Sequence, residues 1–293
     1  MTKQVLTRQP ERKPVIRLAD GRQLELSRPL VMGVVNVTPD SFSDGGQFAD
    51  SRTACEHALR LDGEGADIID IGGESTRPGA DPVSLELELE RVLPVIEAVR
   101  RQTKTPISID TSKAVVAARA LDAGADIVND VTALRRDPDM ATVLKKTAAP
   151  VVLMHMLGEP KTMQVQPRYE DCVGEIRRFF EQRISYAETR GIDRSRIILD
   201  PGIGFGKRLV DNLDIFARLD ELATFGLPLL VGASRKRFID MLHPTGEPAH
   251  TRLGGSIAAA VMAVLNGADI VRVHDVAETV EALKVVQAIR TET

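Results

Sequence analysis

The chain has 293 residues, with 38 Lys and Arg against 42 Asp and Glu for a formal net charge of −4, so it offers no general basic field for a nucleic acid. Its aromatic side chains are 8 Phe and 2 Tyr with no Trp, too few for a base-stacking platform and in keeping with an aliphatic core. At 43% hydrophobic and 27% charged residues the composition is that of a soluble globular protein, and no apolar run reaches the roughly 18 residues of a membrane span.

In chain order, residues 1–14 are polar, lack the apolar stretch of a secretory signal and are expected to be a flexible N-terminal segment. The stretches Val15 to Leu18 and Gln23 to Leu26 flank an Asp20-Gly21 turn and read as a β-hairpin placed to plug one end of the domain. Eight short apolar runs then succeed one another, at 30–37, 67–73, 106–110, 126–131, 150–156, 196–200, 228–233 and 269–274. Segments of helical period separate them, among them Leu85 to Arg101, Glu170 to Arg190 and Ala277 to Arg290. One join recurs. Gly65-Ala66-Asp67, Gly124-Ala125-Asp126 and Gly267-Ala268-Asp269 each end a helix-like segment and open directly into a β-branched run, as left-handed glycine caps do.

The length alone permits two domains of about 150 residues or one barrel of about 250. Eight helix-separated strands, several apolar throughout, favour an α/β fold of the (β/α)₈ TIM-barrel type with an N-terminal β-hairpin, occupying 15–293 as one domain. An open doubly wound sheet is the alternative, but no Gly-rich dinucleotide fingerprint follows the first strand. Cys55 and Cys172 match no metal or redox spacing, which suits a reducing, cytoplasmic setting.

In such barrels chemistry sits on the loops after the strands. The eight strand ends carry Asn36 with Asp40, Phe42 and Asp44; Thr76, Arg77 and Pro78; Asp110; Asn129; His155; Asp200; Ser234, Arg235 and Lys236; and Arg272 with His274. Each has a plain structural explanation. Asp110-Thr111-Ser112 suits a helix cap, Asn36 a turn, Lys236 and Arg235 a solvated helix, and His155 a hydrogen-bonded barrel position rather than a metal ligand. The plain explanations leave the convergence of eight polar strand ends unaccounted for. Asp110, Asn129 and Asp200 suit a flat heterocycle with amidine-like N–H donors. Arg77, Arg235, Lys236, Arg272 and His274 suit an anion, commonly phosphate after strands seven and eight. Asn36 with its acidic neighbours suits Mg²⁺. The residues thus point to a phosphorylated or pyrophosphorylated heterocycle with Mg²⁺.

The segments Met32 to Gly46 (MGVVNVTPDSFSDGG) and Gly72 to Ala80 (GGESTRPGA) resemble the two signatures of the dihydropteroate synthase family of pterin-binding barrels. Met154 to Gln164, Leu199 to Lys207, Leu229 to Lys236 and Arg272 to Val276 are similar to further family segments in the same order. The resemblance implies a transferase of folate biosynthesis that joins 6-hydroxymethyl-7,8-dihydropterin pyrophosphate to p-aminobenzoate, releasing pyrophosphate, and that belongs to the sulfonamide target class. It implies a pterin site of Asp110, Asn129, Asp200, Lys236 and Arg272. It implies a pyrophosphate site of Asn36, Thr76, Arg77, Arg272 and His274, with Mg²⁺ at Asn36. Phe42, Pro78, Phe205, Ser234 and Lys236 are the implied p-aminobenzoate site, and Asp110, Lys236, Arg272 and His274 the implied catalytic set. A homodimer is implied too, and the seventh and eighth helices with the apolar run Ile257 to Leu265 are the expected interface. Arg237 stands where many members have Ser, which affects the p-aminobenzoate carboxylate contact. Three other activities are weighed: a corrinoid-dependent methyltransferase on the same barrel, a Schiff-base aldolase using Lys236, and a pterin-binding protein without catalysis. The pyrophosphate and p-aminobenzoate loops argue against the first, failure to trap an adduct with borohydride would remove the second, and intact Asn36, Arg77, Asp110, Lys236, Arg272 and His274 argue against the third.

Overall fold

The computed structural model describes residues 15–38, 46–75, 79–159 and 161–291, with the backbone alone for 46–50 and 291; the expected flexible segment 1–14 lies outside them. Strands β1 (Val15–Arg17) and β2 (Gln23–Glu25) form the expected antiparallel hairpin, pairing Ile16 with Leu24. The Asp20 carboxylate accepts the Arg22 N–H at 3.0 Å, closing the turn through a local side-chain bond.

Eight parallel strands succeed the hairpin: β3 (Leu30–Asn36), β4 (Ile68–Gly72), β5 (Ile107–Asp110), β6 (Ile127–Asp130), β7 (Val151–Met154), β8 (Ile197–Asp200), β9 (Leu230–Val231) and β10 (Ile270–Val273). They pair in the order β8-β7-β6-β5-β4-β3-β10-β9. A bridge from Leu199 to Leu229, with the Leu199 N–H donating to Pro228 O at 2.9 Å, joins β8 to β9 and closes the barrel. The seventh barrel strand is shorter than the expected 228–233: Pro228 brings no N–H to the ladder at its start, and the strand ends at Val231, before Gly232. Helices α1 (Gly46–Gly63), α2 (Leu85–Arg100), α3 (Ala114–Asp122), α4 (Met140–Thr147), α5 (Cys172–Thr189), α6 (Leu209–Ala217), α7 (Leu219–Ala223), α8 (Arg237–Leu242), α9 (Leu253–Leu265) and α10 (Val276–Thr291) lie between and after the strands.

Strand alternation divides two cores. Outward positions such as Ile69, Ile71, Ile109, Val128, Leu153, Leu199 and Val271 pack with helix residues including Val95, Ile96, Phe180 and Ala263. Inward positions Met32, Ile68, Ile127, Val152, Ile198, Leu230 and Ile270 fill the N-terminal half of the barrel, where Ile16 and Leu18 of the hairpin cover them. With both strand faces covered, the runs read as continuously apolar. Two residues beyond Ile68, Ile127, Ile198 and Ile270 the inward side chain is polar, as Asp70, Asn129, Asp200 and Arg272, and the site begins there.

The recurring Gly-Ala-Asp join has one geometry in all three places. Gly65, Gly124 and Gly267 have φ of +99°, +114° and +110°. The following N–H returns five residues, Ala66 to Leu61 O, Ala125 to Ala120 O and Ala268 to Ala263 O, at 2.8–3.0 Å, the six-to-one bond of a Schellman end. The Asp side chain then accepts an N–H near the start of a neighbouring strand: Val31 to Asp67 at 2.9 Å, Ile107 to Asp126 at 2.8 Å and Leu229 to Asp269 at 2.8 Å. Asp126 also holds Arg100 at 2.6 Å and pairs with Arg22 of the hairpin, fastening the plug to the barrel.

Ile16 is almost wholly buried. Ile16→Ala should cost about 2–4 kcal/mol and lower the thermal unfolding midpoint by several degrees, leaving substrate constants within about twofold. Calorimetry and steady-state kinetics on the same sample check both.

Candidate active site

The inward polar residues surround a cavity of about 870 Å³ at the C-terminal mouth of the barrel. Asn36, Asp110, Asn129, Asp200, Phe205, Ser234, Lys236, Arg272 and His274 all line it, so residues from several strand ends and their loops meet as expected. Phe42, Thr76, Arg77 and Pro78 lie outside the described residues, as do Asp40 and Asp44.

At the centre is a guanidinium shared by two carboxylates. Arg272 of β10 donates from Nε to Asp70 at 2.6 Å and from Nη2 to Asp110 at 2.9 Å. Asn129 donates its amide N–H to the same Asp70 oxygen at 3.3 Å. Asp70 is fully buried, and its other oxygen has no hydrogen-bond partner. Asp70 is not among the residues that the sequence singles out by motif or loop position. The signal that could have found it is strand parity, since Asp70 stands midway between inward Ile68 and Gly72 in β4.

The electrostatics are those of buried charge. Burial pushes Asp110 up to about 7 against the opposing field of Arg272, and neighbouring Asp70 raises it further. Burial likewise pushes Asp200 up to about 6, although its Oδ1 accepts the Gly202 N–H at 2.7 Å. Burial works against the Arg272 charge too, but Asp70 and Asp110 outweigh it and raise the guanidinium pKa.

Strand β8 runs into Pro201 to Lys207, a loop shaped by left-handed glycines. Gly202 has φ +66°, and a Cβ there would stand 2.1 Å from His155 O; at Gly206, φ +63°, it would stand 2.5 Å from Leu157 O. The loop therefore presses backbone to backbone on the exit of β7. Lys207, buried, spans the contact: its Nζ lies 3.0 Å from His155 Nδ1 and donates to His155 O at 3.3 Å and Phe205 O at 3.1 Å. Burial lowers Lys207 to about 7 and holds His155 well below its usual value, so neutral His155 offers Nδ1 as an acceptor. His155 is thus a hydrogen-bonded barrel residue, and Lys207, the last residue of the family-like segment Leu199 to Lys207, is a second buried basic group to which the sequence assigns no role. The clamp sets Phe205, whose ring face carries Lys236 Nζ at 4.0 Å from its centroid.

The cations of the seventh and eighth strand ends do not all act alike. Arg235, at φ +59°, turns to Asp275 with bonds of 3.1 and 2.5 Å, so its charge is taken up there rather than offered to an anion. Ser234 Oγ lies 3.0 Å from His274 Nδ1 and accepts the His274 backbone N–H at 3.3 Å. Arg237 opens α8 exposed on the cavity rim. After β4, Glu74 is tied to Lys113 and, at 3.3 Å, to Arg136; Lys113 also pairs with buried Glu88. This network fixes Glu74 just after the end of β4.

Among the described residues no group of three or more His, Cys, Asp or Glu side chains converges on a metal position. Asn36 brings a single neutral oxygen to the cavity, which fits a Mg²⁺ ion bound chiefly by phosphate oxygens and water rather than a protein cage.

The raised Asp200 value has a consequence for stability. The folded protein binds its proton more tightly than the unfolded chain, so stability falls as pH rises from about 4 to 6 and the cost persists above that window. Asp200→Asn, which keeps an acceptor for Gly202, should remove roughly 1–3 kcal/mol of that cost. Its unfolding midpoint should exceed wild type by several degrees at pH 8 and match it near pH 4; equal midpoints at pH 8 would contradict the burial account.

Residues 32–274 match the family model described as pterin binding enzyme. The dihydropteroate synthase of Escherichia coli is 51% identical over 270 residues, 92% of this chain and 95% of the relative. That of Synechocystis is 48% identical over 262 residues, 89% of this chain and 90% of the relative. The Xanthomonas albilineans dihydropteroate synthase solved with 4-aminobenzoic acid superposes with a TM-score of 0.89 at 50% identity, covering 94% of this chain and 98% of that one. The Yersinia pestis enzyme with a sulfonamide drug gives 0.89 at 48% identity, covering 95% and 100%. With the barrel, its hairpin plug and a polar mouth in place, these likenesses decide the family: the chain belongs to the pterin-binding enzymes, among the dihydropteroate synthases.

Proposed function

We propose that the cavity at the barrel mouth condenses 6-hydroxymethyl-7,8-dihydropterin pyrophosphate with p-aminobenzoate to give 7,8-dihydropteroate and pyrophosphate. The observation that carries this reading is the convergence of Asp110, Asn129, Asp200, Lys236 and Arg272 on one buried pocket. The related Xanthomonas albilineans enzyme has been solved with 7,8-dihydropteroate, at 47% identity and a TM-score of 0.84.

Asp110, Asn129 and Asp200 suit the N–H donors and carbonyl of the pterin ring, with Arg272 against the ring face and Lys236 on its rim. The C–O bond to pyrophosphate breaks ahead of amine attack, because the pterin can delocalise the methylene cation. Buried carboxylates then face a developing positive charge without water to screen them, where their field is strongest. Arg77, Thr76, Arg272 and His274 receive the departing pyrophosphate. Mg²⁺, held by Asn36, the pyrophosphate oxygens and water, would supply charge neutralisation of the leaving group. The aniline nitrogen is nucleophilic while neutral, so no strong base is needed. Phe205 and Lys236, with Phe42 and Pro78, bracket the benzoate ring, and Ser234 lies near its carboxylate. Sulfonamides, bound by the Yersinia pestis relative, compete at that position.

Two chains pair through the seventh and eighth barrel helices in this proposal. Met262 and Leu265 of α9 are 47% and 42% exposed, and Val285 of α10 is 56% exposed, a concentration of apolar surface that suits a partner. The setting is cytoplasmic: Cys55 and Cys172 are buried and unbridged, and no described helix is long and apolar enough to cross a membrane.

Purified protein should release pyrophosphate only with both p-aminobenzoate and Mg²⁺ present; tight pterin binding without release would instead mark a binding protein. Asp110→Asn should lower turnover by about 10²-fold or more, whereas a change confined to KM would refute cation stabilisation. Because the free site holds carboxyls raised to about 7 and about 6, kcat/KM should fall as pH drops through that range. Met262→Glu should convert a dimer to a monomer by light scattering, and an unchanged mass would move the interface elsewhere.

A further inference from the structure

Asp70 belongs to no loop and lies one inward position below the mouth, yet two pocket groups, Arg272 and Asn129, are held by it. Inside such a barrel the inward residues of alternate strands share a layer, and β4, β6 and β10 are alternate strands of the sheet that bring Asp70, Asn129 and Arg272 together. Arg272 reaches it from β10, and Asn129 from β6, at 2.6 and 3.3 Å. The Arg272 bond to Asp110 is the longer of its two, at 2.9 Å. A carboxylate has no proton to donate, so it fixes the amide of Asn129 with its NH₂ inward and its oxygen toward the cavity. The same carboxylate holds the guanidinium by Nε, in one plane, at the pocket floor.

Charge gives the second argument. Arg272 alone with Asp110 is a neutral pair. With Asp70 the floor holds two carboxyl groups to one guanidinium, and once Asp110, raised to about 7, is ionised the floor carries a surplus of one negative charge. That surplus lies on a largely buried floor, with Asp70 fully buried and Asp110 nearly so, beneath the position assigned above to the pterin.

Resting on that pterin reading, we propose that Asp70 is a positioning residue for the transfer reaction: it sets Arg272 and Asn129 and takes up enough of the Arg272 charge to leave Asp110 available to the cationic pterin. Asp70 touches neither substrate. It acts through the two residues that do. The charged groups facing Asp110 are Arg272 from β10, Asp70 from β4, Glu88 from α2 and Asp130 from β6. Removing the Asp70 charge leaves Arg272 to Asp110 and deletes one like-charged neighbour, so both effects favour ionised Asp110 and move its titration to lower pH.

The test is a double-mutant cycle on the full chain with Mg²⁺ and both substrates. Asp70→Asn should lower kcat by roughly 10–100-fold, keep KM for p-aminobenzoate within about twofold and shift the acid limb of kcat/KM down by about one pH unit. On an Arg272→Met background the same change should lower kcat by a clearly smaller factor, because the part of its effect carried by Arg272 is gone and only the Asn129 contact remains. That background also removes both charges together, so it carries the test if Asp70→Asn alone fails to fold. An equal loss of kcat on both backgrounds overturns the proposal, and so does an Asp70→Asn enzyme with unchanged kcat and acid limb. Absence of pyrophosphate release from wild type would instead refute the reading of the reaction, so the two failures are distinct.

Discussion

One buried guanidinium between two buried carboxylates is the interaction on which the site is built. Arg272, Asp70 and Asp110 come from three strands and meet in a layer that water scarcely reaches. A buried charge is costly unless paired. Here the pairing is incomplete, since two carboxylates share one cation, while Asp200 nearby spends one oxygen on a backbone N–H. Burial raises both Asp110 and Asp200, and at Asp110 the second carboxylate, Asp70, adds to it. A ligand bringing N–H donors and developing positive charge completes what the protein leaves unbalanced, and the same imbalance costs the empty protein stability.

Such a centre requires a frame that holds strands in register against its own repulsion. The lower half of the barrel supplies it. Eight inward apolar side chains from the strands and two from the hairpin form a dry floor, and the polar layer begins only above it. The Gly-Ala-Asp joins add a repeated bolt, each turning a helix end into a strand and hydrogen-bonding the strand beside it with the Asp side chain. Asp126 carries the further ties to Arg100 and Arg22, so the element farthest from the chemistry is fastened through the same type of joint that sets the strands.

The barrel was legible because its signals are local. Glycine caps, β-branched runs and helical period each need only a few neighbouring residues, and the eight strands fall where those signals placed them, trimmed at their ends. The seventh was overextended at its start because Pro228 looks apolar in a pattern but contributes no N–H. The mouth was legible for a different reason: barrel topology sends every strand end to one face, so Asp110, Asn129, Asp200, Lys236 and Arg272 could be assembled by position alone. What could not be read was partnership. Arg235 and Arg272 look alike in sequence, yet one is committed to Asp275 and the other to the pocket floor. That distinction depends on a left-handed backbone at Arg235 and on contacts across 40 and 202 positions of chain.

Asp70 and Lys207 show the same limit from the other side. Both are single charged residues in short apolar or glycine-containing stretches, and both are buried between elements. A charge in that position has either a structural or a mechanistic partner, and burial forces the choice. Lys207 spends its donors on two backbone carbonyls and an imidazole, holding a glycine loop too tightly packed for a Cβ at Gly202; its effect on chemistry passes through Phe205 and the Lys236 ammonium above that ring. Asp70 spends one oxygen on Arg272 and Asn129, and its effect passes through them. In each case the group in contact with the cavity is held by a buried charge one step behind it, so the geometry of the mouth is set by side chains set back from the reacting groups.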